Sequence, residues 1–227
     1  MQFASTSIPS IFRDMPFQAQ TYFEAMFHRF GEQNWWPAKT RLEMMLGAIL
    51  TQNTTWTNVE KALANMRQHK ALDFETLDST TKEQIAKWIR PAGYFNQKAS
   101  HIKDMATTIR HRFDGSLNRL FSLDTPALRK ELLSWKGVGP ETADCIMLYA
   151  AKRPVFVVDA YTRRIAMRHG WIGEKATYDE VAMLFTSNLP KDDVALFNEY
   201  HALIVQTGKE HCKTTPQCKG CPLEPFL

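Results

Sequence analysis

Three groups of residues in this sequence have types and spacings suited to chemistry. Lys136-Gly137-Val138-Gly139 stands before Pro140, between two apolar-periodic segments within residues 128–150. Two glycines around an apolar residue permit positive φ and a close approach of the backbone to a ligand. Pro140 suits a first helical position, where its missing N–H costs nothing. The unpaired amides of such a turn can donate to a phosphate, and an ordinary helix–helix turn has the same pattern. Asp159 ends the apolar run PVFVVD (154–159) at the start of another helical stretch. Aspartate is a favoured N-cap there; a fixed carboxylate is also what stabilises developing positive charge and helps to activate water. Cys212, Cys218 and Cys221 form C-x5-C-x2-C, a spacing that suits a metal loop.

The elements that must position these groups read as helices. Leu42, Met45, Leu46 and Ile49 recur at helical spacing in 41–53, and Ala143, Ile146, Met147 and Ala150 do so in 141–152. Residues 192–208 open with acids, carry Val194, Leu196, Phe197, Ala202 and Ile204, and are expected to stop at Gly208. PVFVVD is too isolated to build a sheet and reads as a buried extended connector. Prolines 37, 91, 126, 140, 154 and 190 divide the chain into short helices. The predicted fold is all-α.

With 227 residues, 44% of them apolar, the chain can bury one core or two small lobes, and 23% charged residues argue against disorder. No apolar run reaches the length of a membrane span. The first residues lack the basic and apolar regions of a secretory signal, so a cytoplasmic setting is expected; the expected use is prokaryotic and nucleoid-associated. In a reducing compartment the four cysteines are metal ligands or core thiols rather than disulfides. From Arg129 to Arg168 eight Lys/Arg face four acids, a net +4 equal to that of the whole chain. Such a window fits a phosphate-binding surface, and equally a solvated helix face.

Residues 132–164 (LLSWKGVGPETADCIMLYAAKRPVFVVDAYTRR) resemble the helix–hairpin–helix and catalytic-aspartate segment of the endonuclease III superfamily, the HhH-GPD DNA glycosylases. LGAILTQNT (46–54) resembles that family's early helix and DNA-wedging loop, IRPAGYFNQKA (89–99) its Gly-Asn-Lys turn, and HCKTTPQCKGC (211–221) its iron–sulphur loop. The likeness covers about residues 34–221. NWWP (34–37), TQNT and IRPAG are most similar to the 3-methyladenine glycosylase branch, MagIII.

This resemblance implies a two-lobed helical fold. A helical barrel over 38–150 would include the hairpin at 128–150; residues 1–37 with 151–227 would form a second lobe holding Asp159 and the Cys loop at 208–227. The implied activity is base excision: a monofunctional glycosylase hydrolyses the N-glycosidic bond of a flipped-out alkylated purine and leaves an abasic site. The alternatives are an endonuclease III-like glycosylase and lyase acting on pyrimidines, and a DNA-binding repair protein without hydrolase activity. The implied partner is double-stranded DNA with a damaged base, bound by a monomer.

Residue by residue, Asp159 corresponds to the catalytic carboxylate. Lys136, Gly137, Val138 and Gly139 correspond to the DNA grip, and Gln52, with Asn53 beside it, to the residue that fills the gap left by the base. Trp35, Trp36 and Trp56 are candidate walls of the base pocket, since aromatic faces suit a cationic alkylated base. Glu141, placed with the pocket, stands where backbone-cutting members carry the Schiff-base lysine. Lys98 and Lys136 are the nearest amines in sequence and are read as surface or phosphate-contacting groups. A 4Fe–4S cluster is expected on Cys212, Cys218 and Cys221 with a non-Cys or external fourth ligand, because Leu227 stands where the family's fourth cysteine would fall. Zinc with His211, or an empty relic, are the alternatives; Cys145 reads as a core thiol.

Overall fold

The computed structural model describes residues 17–36 and 38–227. Residues 1–16 of the expected second lobe, and Pro37 of NWWP, lie outside the described residues. Among those described there is no strand, and the fold is all-helical. The helices are, in order, α1 (Ala19–Phe30), α2 (Arg41–Leu50), α3 (Trp56–Gln68), α4 (Phe74–Ser79), α5 (Lys82–Trp88) and α6 (Phe95–Phe113). They continue with α7 (Leu117–Phe121), α8 (Thr125–Leu133), α9 (Pro140–Cys145), α10 (Ala160–Arg168), α11 (Tyr178–Thr186) and α12 (Val194–Glu210). No helix among the described residues is long and apolar enough to cross a membrane. The chain divides into two compact units, one of residues up to Trp35 with Val155–Leu227, the other of Trp36–Pro154.

In the Trp36–Pro154 unit, the Thr40 hydroxyl caps α2 by accepting from Glu43 N at 3.1 Å. Every residue of α2 from Leu42 to Leu50 is buried, a wider face than the periodicity marks, because α3, α6 and residues 146–150 all pack on this helix. Glu43, 3% exposed, is held by Arg67 at 2.9 Å and by Lys39 N at 2.8 Å, so its buried charge is paired. The helix expected over 141–152 is α9 continued by a π-helical turn, Ile146–Ala150, and its four predicted core positions are all buried.

In the other unit, the connector before Asp159 is extended and its Phe156, Val157 and Val158 are buried. Phe156 stacks on Phe185 of α11 with centroids 4.0 Å apart and meets Tyr200 of α12 edge-on at 5.6 Å. Such pairs contribute about 0.5–1.5 kcal/mol each beyond their area. Val158 N donates to the Tyr178 hydroxyl at 3.2 Å, which fixes the backbone just before Asp159. Gly208 does not end α12; the helix runs on to Glu210. A Cβ at Gly208 would stand 2.2 Å from Tyr161 Cδ1, so this glycine serves the close approach of α10 rather than a stop.

Candidate active site and hairpin

Asp159 is the N-cap of α10, and its two oxygens differ in surroundings. Oδ1 accepts from Thr162 N at 2.7 Å and from Thr162 Oγ1 at 2.9 Å. Oδ2 lies 3.7 Å from Nε2 of His201, on α12, with the Asp159 side chain 14% exposed. Burial alone would raise the carboxyl pKa; His201 first, and then Thr162, outweigh it and hold the group below the usual aspartate value. Trp35 meets His201 edge-on at 6.5 Å, and Lys209 Nζ sits over the Trp35 ring at 5.1 Å.

The hairpin belongs to the other unit. Gly137 has φ +80°, and a Cβ there would lie 2.0 Å from His101 Nδ1 in α6, so both the turn and the neighbour require glycine. Gly139 differs: its φ of −91° is open to any residue and a Cβ would meet nothing within 4 Å. Val138 is buried, while Lys136, Gly137, Gly139 and Glu141 are exposed. Pro140 and Glu141 begin α9.

Gln52 is tied to this hairpin, its Nε2 donating to Gly137 O at 3.0 Å and to Thr142 Oγ1 at 2.9 Å. Asn53 is exposed, with φ +55°. Lys98 is not the surface or phosphate-contacting group expected. It is 3% exposed, and Nζ donates at 2.8 Å to each of Leu50 O, Gln52 O and Ala92 O. Three carbonyls match the three protons of an ammonium, while burial pulls the lysine pKa down.

The expected pocket tryptophans divide between the units. Trp35 accompanies Asp159 and His201, whereas Trp36 lies against Trp56 at 5.2 Å and stacks on Tyr149 at 4.8 Å. A Cβ on Gly47 would stand 3.4 Å from both Trp36 and Trp56, so α2 leaves room for the pair.

Residues 46–191 match the profile of the HhH-GPD superfamily base excision DNA repair proteins. The chain belongs to this superfamily. It is 45% identical to an inferred DNA repair glycosylase of Methanocaldococcus jannaschii, over 90% of this chain and 93% of that protein. It is 29% identical to endonuclease III of Sulfolobus acidocaldarius, over 80% of this chain and 79% of that one. Among solved structures, the 3-methyladenine DNA glycosylase MagIII of H. pylori, bound to 1,N6-ethenoadenine, superposes with a TM-score of 0.75 at 26% identity, covering 86% of this chain and 98% of that one. These relatives lie on different branches, and neither MagIII nor endonuclease III stands out.

The expected 4Fe–4S cluster is not supported in this HhH-GPD chain. Among the described residues no three His, Cys, Asp or Glu side chains are grouped to hold a metal ion. Cys212, 9% exposed, has its sulphur 3.1 Å from the Arg168 guanidinium, which also donates to Lys213 O at 2.6 Å and Thr214 O at 2.8 Å. Arg164 Nε donates to Cys212 O at 2.6 Å, and His211 Nδ1 is 3.1 Å from Gln217 O. The Arg164 and Arg168 guanidinium bonds brace the start of this loop, at Cys212, Lys213 and Thr214. The metal-loop spacing is thus corrected to a protein-braced loop.

Two residues of the HhH-GPD chain were not singled out in sequence. His201 has no motif around it, because its partner lies on another helix. Tyr94 sits within the quoted IRPAGYFNQKA, but the composition of that turn does not tell that it is 68% exposed with φ +45°. An exposed aromatic in the left-handed region is uncommon. Its turn supplies Ala92 O to the same Lys98 ammonium that holds Gln52 O.

Proposed function

We propose that this chain is a monofunctional DNA glycosylase that uses water as its nucleophile and leaves the DNA backbone uncut. The observation that carries this reading is Asp159: an ionised, largely buried carboxylate with one oxygen committed to capping and the other turned to His201. As the glycosidic bond breaks, its electron pair leaves with the base and positive charge develops on the sugar. The carboxylate stabilises that charge, and water adds to the sugar carbon as its proton passes to the carboxylate, which returns it to solvent. The substrate is duplex DNA, gripped through the amides of Gly137 and Gly139, with Gln52 and Tyr94 as candidates to occupy the space of an extruded base.

Uncut product is expected because no lysine stands at the Schiff-base position. Glu141 stands at the Schiff-base position, and Lys98 has its three protons engaged by carbonyls. Two lesion classes have support. The aromatic cluster of Trp36, Trp56 and Tyr149 suits an alkylated purine, which is cationic and leaves without an acid catalyst. The 29% identity to an endonuclease III favours a damaged or mismatched pyrimidine.

A panel of duplexes, each with ethenoadenine, 3-methyladenine, uracil, thymine opposite guanine, or thymine glycol, decides between the two. Abasic sites are scored with and without alkali, and with borohydride added. The expected result is breakage only after alkali, with no trapped adduct. A borohydride-trapped complex would overturn the monofunctional reading and direct attention to Lys136. No excision from any duplex would overturn the glycosylase reading itself.

A further inference from the structure

His201 is 4% exposed in the middle of α12, yet it is an imidazole where an apolar ring would fill the space without desolvating nitrogen. Its Nε2 faces the one Asp159 oxygen that the helix cap does not use. Trp35 meets the same ring edge-on, and Lys209, two turns further along α12, lies over the Trp35 face. A helix cap needs only Oδ1, so capping does not account for the second contact.

We propose that His201 is a positioning residue for Asp159: its Nε2, 3.7 Å from Oδ2, steers that oxygen by electrostatic contact while Thr162 hydrogen-bonds Oδ1, and so fixes the plane of the carboxylate presented to the reacting sugar. This rests on the glycosylase reading of Asp159 and adds to it the group that orients the carboxylate. Two anchors on two different helices stop rotation about the Cβ–Cγ bond, which a one-sided cap leaves open. The same contact lowers the proton affinity of a carboxyl that burial would raise. Thr162 from α10 and His201 from α12 are set against the carboxylate; Asp159 and the Trp35 ring are set against His201.

The test uses the full chain and the panel duplex that wild type excises fastest, with single-turnover rates across pH. Binding is measured separately on a duplex with a tetrahydrofuran abasic analogue. His201→Leu keeps bulk and removes the nitrogen; His201→Gln returns a nitrogen near the Nε2 position. The Leu variant is expected to lose about 10- to 100-fold in single-turnover rate, the scale of a misplaced catalytic group, with analogue binding within about twofold. Its acid limb moves to higher pH, because the carboxyl loses the partner that keeps it ionised, and the Gln variant recovers most of the rate.

An unchanged rate and acid limb in the Leu variant would overturn the proposal, as would a loss that Gln does not recover, since packing alone would explain that. If the Leu variant does not fold, the imidazole NMR titration of His201 decides, compared between wild type and Asp159→Asn. A shift supports the pair and an unchanged curve overturns it. Asp159→Asn also serves as the reference arm: if it excises like wild type, the glycosylase reading fails first, whereas unaffected His201 variants beside an inactive Asp159→Asn remove only the positioning role.

Discussion

On the proposed reading Asp159 carries two tasks on one side chain, and Asp159→Asn separates them. The amide still offers an oxygen to Thr162, so α10 keeps its cap and lesion binding persists. Excision is expected to fall by about 100-fold or more, as when one electrostatic or acid–base group is removed. A binding isotherm beside single-turnover kinetics checks this; equal excision would leave Asp159 a helix cap only. The pH dependence follows from the direction of the shift. A carboxyl whose folded-state pKa is depressed contributes stability that is complete above its unfolded value and lost as pH falls through the folded one. The wild-type acid limb is therefore expected below the ordinary aspartate range, and a limb above that range would contradict a carboxyl held down by His201 and Thr162. Asp159 was legible in sequence because it ends an apolar run at a helix start. His201 was not, since forty-odd residues separate the pair and only packing of α12 on α10 joins them.

For the elements, the two hairpin glycines make opposite predictions. In Gly139→Val the added Cβ has no neighbour within 4 Å and the φ is permitted, so the fold should stand while a duplex phosphate finds the amides obstructed. Affinity for all duplexes, damaged or not, is expected to drop alike, with wild-type binding falling steeply as salt rises. Salt titrations on matched and lesion duplexes check this, and a change confined to lesion duplexes would mean that the hairpin reads bases. Gly137→Ala adds a Cβ at φ +80° into the His101 ring and is expected to cost about 1–3 kcal/mol of stability in chemical unfolding. The Gly-x-Gly-Pro pattern announced the turn, but not which glycine was constrained by its own backbone and which stood open. Gly208 shows the same limit. A glycine late in a helix reads as a stop, and only the approach of Tyr161 reveals it as a packing position. Lys98 was misplaced at the surface because nothing local marks a lysine whose acceptors lie in two other segments.

Across the whole molecule, family membership was legible from several motifs in one order, while the content of the cysteine loop was not. Three cysteines at a metal-like spacing were read as ligands; the guanidinium that meets Cys212 comes from Arg168, far upstream. Chelator treatment is therefore expected to leave the melting temperature and excision unchanged. Arg168→Ala should cost about 1–3 kcal/mol, because bonds made by a charged donor are lost. Thermal melts with and without chelator check both, and a chelator-sensitive melt would contradict the braced loop. The helical content followed from periodicity, whereas the π-helical turn at Ile146–Ala150 did not, since a shift from four- to five-residue bonding barely alters which residues are apolar.

Gln52 gives the free protein a latch. Its amide is spent on Gly137 O and Thr142 Oγ1, so it cannot reach into a duplex until both bonds are released. With a net worth of about 1 kcal/mol per bond, releasing both lowers the population of the reaching conformer by roughly 30-fold. Undamaged duplex, whose bases stay stacked, offers nothing in return, and the side chain falls back onto the hairpin as the protein moves along. An extruded base leaves a vacancy with unpaired acceptors, and there the released amide regains what it gave up. Scanning and commitment would then differ by the state of a single glutamine, with the hairpin proposed to hold the DNA also serving as its resting place.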